Sequence, residues 1–344
     1  MSSTPVRVIV WATGSVGQNV IRRCAVDPSL ELVGAFVYGE DKDGRDAGEI
    51  AGVSPLGVAA TRDKQVILDL DADIVIHAPK GHHVDEAHDS DVEALLRSGK
   101  NVISTRGYFN PWAFGDDYAK RWLVACEAGG VTLAGLGMSP GFVGERLAVT
   151  LSGGCLDLQT LTLREAYDCT KLLPTMLEKM GFGSAREVYE ASAINVNYDD
   201  LYLPTLHNVV AALGGTVERW ESSHEVVTAA ADVPEATWPV PAGSVQGTLR
   251  RWTGYSGGRA LFVQEYLWFV GQVPGWPECS GWTIETDGTP RYRLTLGFDP
   301  LPGEHPDVHG HAMMGATVIN AIPHVVASAP GVFRTPVFAP YDRG

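Results

Sequence analysis

The first 140 residues alternate short apolar runs with segments in which apolar positions recur at helical spacing. Residues 7–11 form a nearly continuous, β-branched run, which is the pattern of a strand covered on both faces of a parallel sheet. Further strands are predicted at 31–38, 72–79, 100–105 and 131–136, with helices at 18–25, 91–96 and 117–128. This alternation predicts an α/β fold with a Rossmann-type parallel sheet in residues 1–140.

After residue 140 the pattern changes to alternation within single strands. Residues 158–167 alternate apolar and polar positions, as in an antiparallel strand with one buried face. Further strands are predicted at 226–230, 244–252, 260–270 and 291–298, with helices at 143–151, 186–193 and 206–213. We expect a second, α+β domain with an open mixed or antiparallel sheet over residues 141–309. Its frequent Trp and Tyr residues suit a substrate pocket, a subunit interface or ordinary core packing.

A long apolar helix is predicted for residues 310–329, directly before Pro330 and Gly331. It is apolar on nearly every side, which is typical of a buried helix. We therefore expect residues 310–344 to pack back on the first domain.

The turn after the first strand carries the clearest functional signal. It consists of Ala12, Thr13, Gly14, Ser15, Val16 and Gly17, and it matches the pattern G-x-G-x-x-G with alanine in the first glycine position. Gly14 would let the backbone approach a pyrophosphate, and Gly17 would let the helix pack closely on the strand. The N–H groups at the helix start would face the phosphates. The motif predicts a dinucleotide cofactor, with a ligand-free turn as the alternative.

The loop after the second predicted strand bears on the form of the cofactor. In dinucleotide-binding folds an acid here binds the ribose of NAD, whereas a basic residue accommodates the 2′-phosphate of NADP. The strand ends at Tyr38, and the loop holds Glu40, Lys42 and Arg45. Both NADP and NAD remain open, with NADP slightly favoured, and a solvated charged loop is the alternative.

Small-residue turns follow three further strands, at the edge where open α/β sheets bind their ligands. These turns contain His77, Ala78 and Pro79, then Thr105, Arg106 and Gly107, then Met138, Ser139 and Pro140. We expect them to contact the cofactor. His82, His83 and His88 lack metal-ligand spacing and a completing carboxylate or cysteine, so we expect no metal site.

Composition limits the other possibilities. A chain of 344 residues with 45% apolar and 19% charged residues suits an ordinary two-domain globular protein. The net charge of −15 argues against nucleic-acid and anionic membrane partners. Five scattered cysteines without a C-x-x-C pattern suit a reducing compartment. Without a signal-like or membrane-spanning apolar run, we expect a cytoplasmic protein.

These motifs together resemble known families. The N-terminal half is similar to the nucleotide domain of dihydrodipicolinate reductases, in the turn at Gly14 and Gly17, the charged loop 42–49 and the turn 104–107. The whole chain resembles the 2,4-diaminopentanoate dehydrogenase and native amine dehydrogenase group more closely, in residues 138–142, 318–323 and 329–336.

The resemblance implies hydride transfer between a nicotinamide cofactor and the C=N carbon of a small amine or imine. It implies that the nicotinamide lies between the turns at 104–107 and 138–141, with Asn320 nearby. It also implies a homodimer that pairs through the open sheet of the second domain.

One departure from that group concerns the catalytic acid. Members carry a glutamate, thought to handle the ammonia nitrogen, in a pattern like S-T-C-E-E-x-x-x-P-W, whereas residues 104–112 read STRGYFNPW, one residue shorter and without an acid. We therefore consider Tyr108, Tyr167 and His207 as catalytic candidates, with Arg164, Glu165 and Asp168 beside Tyr167 as further pocket residues. A carbonyl or enone reductase without amine chemistry and a non-catalytic nicotinamide-binding sensor are the alternatives.

Overall fold

The chain folds into two compact units. The computed structural model describes residues 4–81, 85–192, 198–277, 280–299 and 307–342. One unit comprises Met1–Phe142 with Pro300–Pro336, and the other comprises Val143–Asp299 with Val337–Gly344.

Helices and strands follow one another along the chain in three segments. The first segment forms β1 (Val6–Trp11), α1 (Ser15–Cys24), β2 (Leu30–Phe36), α2 (Ala47–Ala51), β3 (Ala60–Thr61), α3 (Lys64–Asp69), β4 (Ile74–His77), α4 (Glu86–Arg97), β5 (Asn101–Ser104), α5 (Asp116–Gly129) and β6 (Thr132–Gly135). The middle segment forms α6 (Val149–Ser152), β7 (Asp157–Asp168), α7 (Pro174–Lys179), α8 (Arg186–Glu190), α9 (Tyr198–Ala212), β8 (Arg219–Thr228), β9 (Val245–Ser256), β10 (Arg259–Phe269), β11 (Gly281–Thr289) and β12 (Tyr292–Leu296). The last segment forms α10 (Asp307–Val326) and β13 (Gly331–Val332).

The first unit contains a parallel sheet of seven strands in the order β13-β6-β5-β4-β1-β2-β3. This confirms the predicted Rossmann-type sheet. The strand order reverses at β1, which lies between β2 and β4. In such sheets the ligand crevice lies at the carboxyl ends of the strands beside this reversal.

Both faces of the first sheet are covered, which accounts for the continuous apolar run in β1. Val8 and Val10 pack in one core with Val20 of α1 and Val318 of α10. Ile9 and Trp11 point to the other face and pack in a core with residues of α4 and α5. Every one of these side chains is nearly inaccessible to solvent, so β1 alternates between two apolar layers.

The second unit contains a mixed sheet of six strands in the order β12-β11-β7-β10-β9-β8. β7 and β10 are parallel, and the remaining neighbours are antiparallel. The ring of Tyr202 on α9 packs 4.0 Å from Tyr266 and 4.8 Å from Trp252, so α9 lies on the face that carries these rings. The expected α+β unit with a mixed sheet is confirmed.

No helix among the residues described combines the length and the apolar composition that a membrane span requires.

Candidate functional site

The turn between β1 and α1 has the backbone of a phosphate-binding loop. Ala12 has a φ of +82°, a left-handed conformation that glycine adopts without strain. A Cβ on Gly17 would lie 2.0 Å from the carbonyl oxygen of Ala12, so close packing of α1 on β1 requires glycine there. A Cβ on Gly14 would meet no described atom within 4 Å. Packing within the chain therefore accounts for Gly17 but not for Gly14, where the open space would suit a ligand.

The charges around this loop suit a phosphate. α1 begins at Ser15, after Gly14, and no side chain among the described residues caps its first N–H groups. Lys42 extends its Nζ to 3.3 Å from both the carbonyl and the hydroxyl oxygen of the buried Thr13. Val16 is buried in the core, whereas Ser15 is exposed. The open helix N-terminus fits a dinucleotide pyrophosphate, and Lys42 brings positive charge to the loop after β2.

The end of β2 brings together the residues that face the expected ribose. Tyr38 is 47% exposed, and its hydroxyl accepts a hydrogen bond of 3.1 Å from the indole of Trp11. Glu40 pairs with Arg62 at 2.9 Å, and Arg45 is exposed. Arg62 was not predicted from the sequence. It follows β3, and the short β3, which pairs with the end of β2, carries too weak a pattern to be predicted.

His77 ends β4 and joins it to the end of β5. The ring is fully buried, and its Nδ1 lies 2.9 Å from the hydroxyl of Ser104. Its Nε2 has no hydrogen-bond partner among the described residues. Burial holds the pKa of His77 well below its usual value. The neutral ring therefore joins the carboxyl ends of β4 and β5. Ala78, which is partly exposed, and Pro79, which is buried, follow it in the chain.

The buried ring of His77 predicts a loss of stability in mild acid. Its pKa is low in the folded chain and about 6.5 when exposed, so below that pH the unfolded chain binds one more proton. The free energy of unfolding therefore keeps its full value above pH 6.5. Below that pH the proton uptake lowers it by at most about 1.4 kcal/mol per pH unit. In urea unfolding between about pH 7 and pH 5, His77→Leu should show a shallower pH dependence than the unsubstituted chain. Identical slopes would contradict the expectation.

Arg106 joins its own loop, after β5, to the segment between β4 and α4. Its guanidinium is buried and donates to the carbonyl of Lys80 at 2.5 Å and to Asp85 Oδ2 at 2.7 Å. Asp85 also caps α4, since its other oxygen accepts from the backbone N–H of His88 at 3.0 Å. Arg106 therefore ties the loop after β5 to the start of α4, and Asp85 is a residue whose role was not predicted from the sequence. Within the same loop, the backbone N–H of Thr105 donates to the carbonyl of His77 at 3.0 Å, and Gly107 is buried.

Tyr108 requires a correction. Its side chain is fully buried, and its hydroxyl donates to Asp89 Oδ1 at 2.6 Å. Tyr118 donates to the same oxygen at 3.1 Å, and Trp122 packs edge-on against the Tyr108 ring. Burial, followed by the charge of Asp89, raises the pKa of Tyr108 far above its usual value. The interpretation of Tyr108 as a proton donor to substrate is therefore wrong, because its hydroxyl is buried and donates to Asp89.

Tyr108→Phe is expected to lower stability and leave catalysis intact. The substitution leaves the buried carboxyl of Asp89 without its shorter hydrogen bond, which costs about 1–3 kcal/mol. We expect a lower urea midpoint and a kcat within about twofold of the original. Tyr118→Phe removes the longer bond and serves as a matched control. A kcat reduced about 100-fold or more with unchanged stability would restore the catalytic role.

The turn after β6 contains a break in a helical segment and a cis peptide bond. Segment Met138–Ala148 is helical except at Ser139, Pro140 and Gly141, and the bond between Ser139 and Pro140 is cis. Met138 and Ser139 are partly exposed, whereas Pro140 is buried. Asn320 is exposed on α10, between the buried Val318 and Ile322.

The remaining catalytic candidates belong to the second unit. Tyr167 on β7 is partly exposed and packs against a core that contains Cys169, Val245 and Val270. His207 lies half-buried on α9, and burial lowers its pKa. The first unit thus gathers the phosphate loop, Lys42, Tyr38, His77 and Arg106 around the carboxyl ends of its strands, and the second unit holds Tyr167 and His207.

The described residues contain no group of three or more His, Cys, Asp or Glu side chains arranged to hold a metal ion. His82 and His83, two of the histidines weighed as metal ligands, lie outside the described residues, and so does Cys279.

Comparisons with protein families cover both units. A family model described as dihydrodipicolinate reductase, N-terminus, matches residues 6–108. A second, described as 2,4-diaminopentanoate dehydrogenase C-terminal domain, matches residues 142–337.

Two curated proteins illustrate the relationship. The amine dehydrogenase of Streptomyces virginiae is 25% identical over 342 residues, which covers 95% of this chain and 94% of that protein. The 4-hydroxy-tetrahydrodipicolinate reductase of Synechocystis is 35% identical over 105 residues, which covers 29% of this chain and 37% of that protein.

Solved structures share the fold. The amine dehydrogenase from Mycobacterium smegmatis matches with a TM-score of 0.76 and 20% identity, covering 95% of this chain and 94% of that one. A scyllo-inositol dehydrogenase from Lactobacillus casei, solved with NAD(H) and scyllo-inositol, matches with a TM-score of 0.56 and 12% identity, covering 93% and 89% of the two chains.

Proposed function

The chain belongs to the 2,4-diaminopentanoate dehydrogenase C-terminal domain family and is an NAD(P)-dependent oxidoreductase, and from this premise we propose that it interconverts a small amine and its imine. The observation that carries the proposal is the similarity to an amine dehydrogenase over nearly the full length of both chains. In the reductive direction an imine carbon would accept the hydride, and in the reverse direction a primary amine would be oxidised.

The first unit would hold the cofactor. We propose that residues 12–17 bind the pyrophosphate, because Gly14 leaves open space and α1 presents its first N–H groups there. The turns at 77–79, 105–107 and 138–140 would contact the nicotinamide half, and Asn320 would lie nearby. When bound, the nicotinamide supplies or accepts the hydride. The chain's own residues would orient the substrate and exclude water.

We propose NADP as the preferred form of the cofactor. Glu40 already accepts a hydrogen bond from Arg62. This acid is therefore engaged and less suited to bind the free ribose 2′-hydroxyl of NAD. Lys42 and the exposed Arg45 add positive charge to the same loop, where a 2′-phosphate would bind.

Lys42→Gln is expected to reduce the preference for NADPH over NADH. Loss of one charge-assisted contact should weaken NADPH binding by about 10-fold or more. NADH binding should change less, because it lacks the 2′-phosphate. Titrations of cofactor fluorescence measure both dissociation constants. Lys120→Gln, which makes the same charge change at an exposed position on α5, is the control. Equal weakening of both cofactors would contradict a 2′-phosphate contact.

A second candidate function is reduction of a carbonyl or enone without amine chemistry. It is favoured by the loop at 104–112, which contains no carboxylate where amine dehydrogenases of the resembled group carry one. The buried Tyr108 does not supply a replacement there. Oxidation of NADPH and NADH with a panel of small ketones and aldehydes, each with and without excess ammonium, decides between the two functions. Turnover that requires ammonium supports the amine dehydrogenase, and turnover without it supports carbonyl reduction.

We further propose a homodimer formed through the face of the second sheet opposite α9. On this face Glu265 is buried beneath Arg164 and Arg251, each of which donates to it at 2.7 Å. Both arginine side chains are more than a third exposed, so this polar face can contact a second copy. Light scattering of the purified chain measures the assembly.

A further inference from the structure

Arg62 follows β3 at the same edge of the first sheet as the end of β2. The two strands are parallel, with Phe36 opposite Thr61, and the backbone N–H of Val37 donates to the carbonyl of Thr61 at 2.9 Å. Arg62 is the next residue, so it leaves β3 at the level at which β2 ends. In dinucleotide-binding folds a residue at the end of this strand contacts the ribose of adenosine. Arg62 therefore lies at the level of the ribose that the fold predicts.

The backbone around Arg62 is held by hydrogen bonds. Its own N–H donates to Asp43 Oδ1 at 3.0 Å. The N–H of Gly44 donates to the carbonyl of Ala60 at 2.8 Å, and the N–H of Ala60 donates to the carbonyl of Arg45 at 2.8 Å. These bonds join the loop after β2 to β3 on both sides of the strand's end. The position of Arg62 relative to the end of β2 is therefore set by the fold and needs no ligand.

The guanidinium of Arg62 has donors that the fold does not use. Its Nη1 donates to Glu40 Oε1 at 2.9 Å, whereas Nε and Nη2 have no hydrogen-bond partner among the described residues. Lys42 differs, because its Nζ already lies 3.3 Å from two oxygens of Thr13. The N–H groups of Nε and Nη2 point the same way and match two oxygens of a phosphate. Arg62 can therefore give a phosphate a forked contact while it keeps its bond to Glu40.

The pair with Glu40 does not hold Arg62 back from a ligand. The two side chains are 44% and 83% exposed, and an ion pair this exposed contributes at most about fivefold to an equilibrium constant. A forked, charge-assisted contact with a phosphate is stronger than such a pair. The pair also neutralises Glu40, whose negative charge would otherwise repel a phosphate bound beside it. Both effects favour an anion at the end of β2.

We propose that Arg62 binds the 2′-phosphate of NADP through Nε and Nη2, and that it is the main residue by which this chain selects NADP over NAD. NAD carries a neutral hydroxyl at this position, which gains no ion pair from the guanidinium. The inference rests on the NADP preference proposed above. It assigns that preference to a residue on β3's side of the ribose, in addition to Lys42 and Arg45 of the loop after β2.

The test is calorimetric titration of the full chain with adenosine 2′,5′-bisphosphate and, separately, with adenosine 5′-monophosphate. The two probes differ only in the 2′-phosphate, so the ratio of their affinities isolates that group. We expect the bisphosphate to bind more tightly. Arg62→Gln should weaken bisphosphate binding by about 10- to 100-fold, the effect of losing hydrogen bonds to a charged group, and leave monophosphate binding unchanged within about twofold.

Arg97→Gln is the matched control. Arg97 lies on α4, its side chain is 46% exposed, and it donates to Glu93 at 2.9 Å in an ion pair of the same kind. The substitution removes the same charge from a similar pair, and we expect it to leave the binding of both probes unchanged. Equal weakening of the bisphosphate in Arg97→Gln and Arg62→Gln would show an effect of net charge alone and would overturn the proposal.

Arg62→Lys guards against misfolding of Arg62→Gln, which circular dichroism and the loss of monophosphate binding detect. Lysine keeps the charge and loses the fork, so bisphosphate binding should weaken by about 3- to 10-fold with monophosphate binding unchanged. Bisphosphate affinity equal to that of the original chain, in a folded Arg62→Gln or in Arg62→Lys, overturns the proposal.

The outcomes separate this inference from the proposals on which it rests. A preference for the bisphosphate that persists in a folded Arg62→Gln overturns the role of Arg62 and retains the NADP preference. Equal binding of both probes by the original chain overturns the role of Arg62 together with the NADP preference. A preference that depends on Arg62, without ammonium-dependent turnover on any substrate, retains the role of Arg62 and overturns the proposed reaction.

Discussion

Gly14→Ala is expected to weaken NADPH binding by roughly 10- to 100-fold at unchanged stability, whereas Gly17→Ala should destabilise the fold itself by on the order of 3 kcal/mol or more. The two glycines lie three residues apart and face different surroundings. A Cβ at Gly17 would lie 2.0 Å from the carbonyl oxygen of Ala12, so the backbone of the turn directly after β1 would have to shift. A Cβ at Gly14 would enter open space, and the φ of −76° there suits alanine.

Two measurements on each variant test this separation. Urea unfolding measures the free energy of unfolding, and titration of NADPH fluorescence measures the dissociation constant of the cofactor. Gly34→Ala, in β2 and away from the loop, controls for overpacking of the core, since its Cβ would contact the side chain of Leu70 at 2.6 Å. Unchanged NADPH affinity in a folded Gly14→Ala would refute the assignment of this loop to the pyrophosphate.

Asp85→Ala is expected to lower the free energy of unfolding by about 3–4 kcal/mol. The side chain of Arg106 is only 4% exposed, and removal of Asp85 takes a carboxylate partner away from this buried cation. The same substitution removes the N-cap of α4, which adds about 1 kcal/mol to the loss. Urea unfolding at neutral pH measures the total.

Asp85→Asn is the matched control for that loss. Asparagine caps helices as well as aspartate does and can still accept from the guanidinium, so only the charge is removed. We expect a loss of about 1–2 kcal/mol. If Asp85→Ala costs no more than Asp85→Asn, the ion pair with Arg106 does not stabilise the loop and our interpretation is wrong.

The architecture of the first unit follows from the sequence because each signal is local. β1 is apolar from Val8 to Trp11 because both faces of its sheet are covered there. The apolar runs of β4, β5 and β6 predict strands for the same reason. The phosphate turn is equally local, because Gly14 and Gly17 lie in one short segment.

Side-chain direction in the loops could not be predicted. Tyr108 comes directly after β5, at the edge where active-site residues gather, but its hydroxyl turns inward to Asp89. Arg106 likewise turns to Asp85, which is 21 residues away in sequence. These partners meet only because α4 packs beside β5, and no periodicity along the chain encodes such a meeting.

β11 was missed although its pattern is present. Trp282, Ile284 and Thr286 alternate as buried positions, which is the signature of a half-buried strand. Asp287 and Gly288 at its end are turn-forming residues and concealed that signal. The bond between Trp282 and Glu165 was missed with the strand, because it forms only when β11 pairs with β7.

The return of α10 and β13 to the first unit has a consequence for biosynthesis. One face of the first sheet is covered by Val318, Ile322 and Val325, and β6 gains its outer neighbour only when β13 pairs with it. On a ribosome, residues 143–299, which form most of the second unit, emerge before these segments, so most of the second unit can fold while the first is incomplete. Until residue 332 has been synthesised, the nascent chain carries an open strand edge and an uncovered apolar face. Exposed strand edges and apolar faces promote aggregation, so we expect this intermediate to be the state of the chain most prone to it.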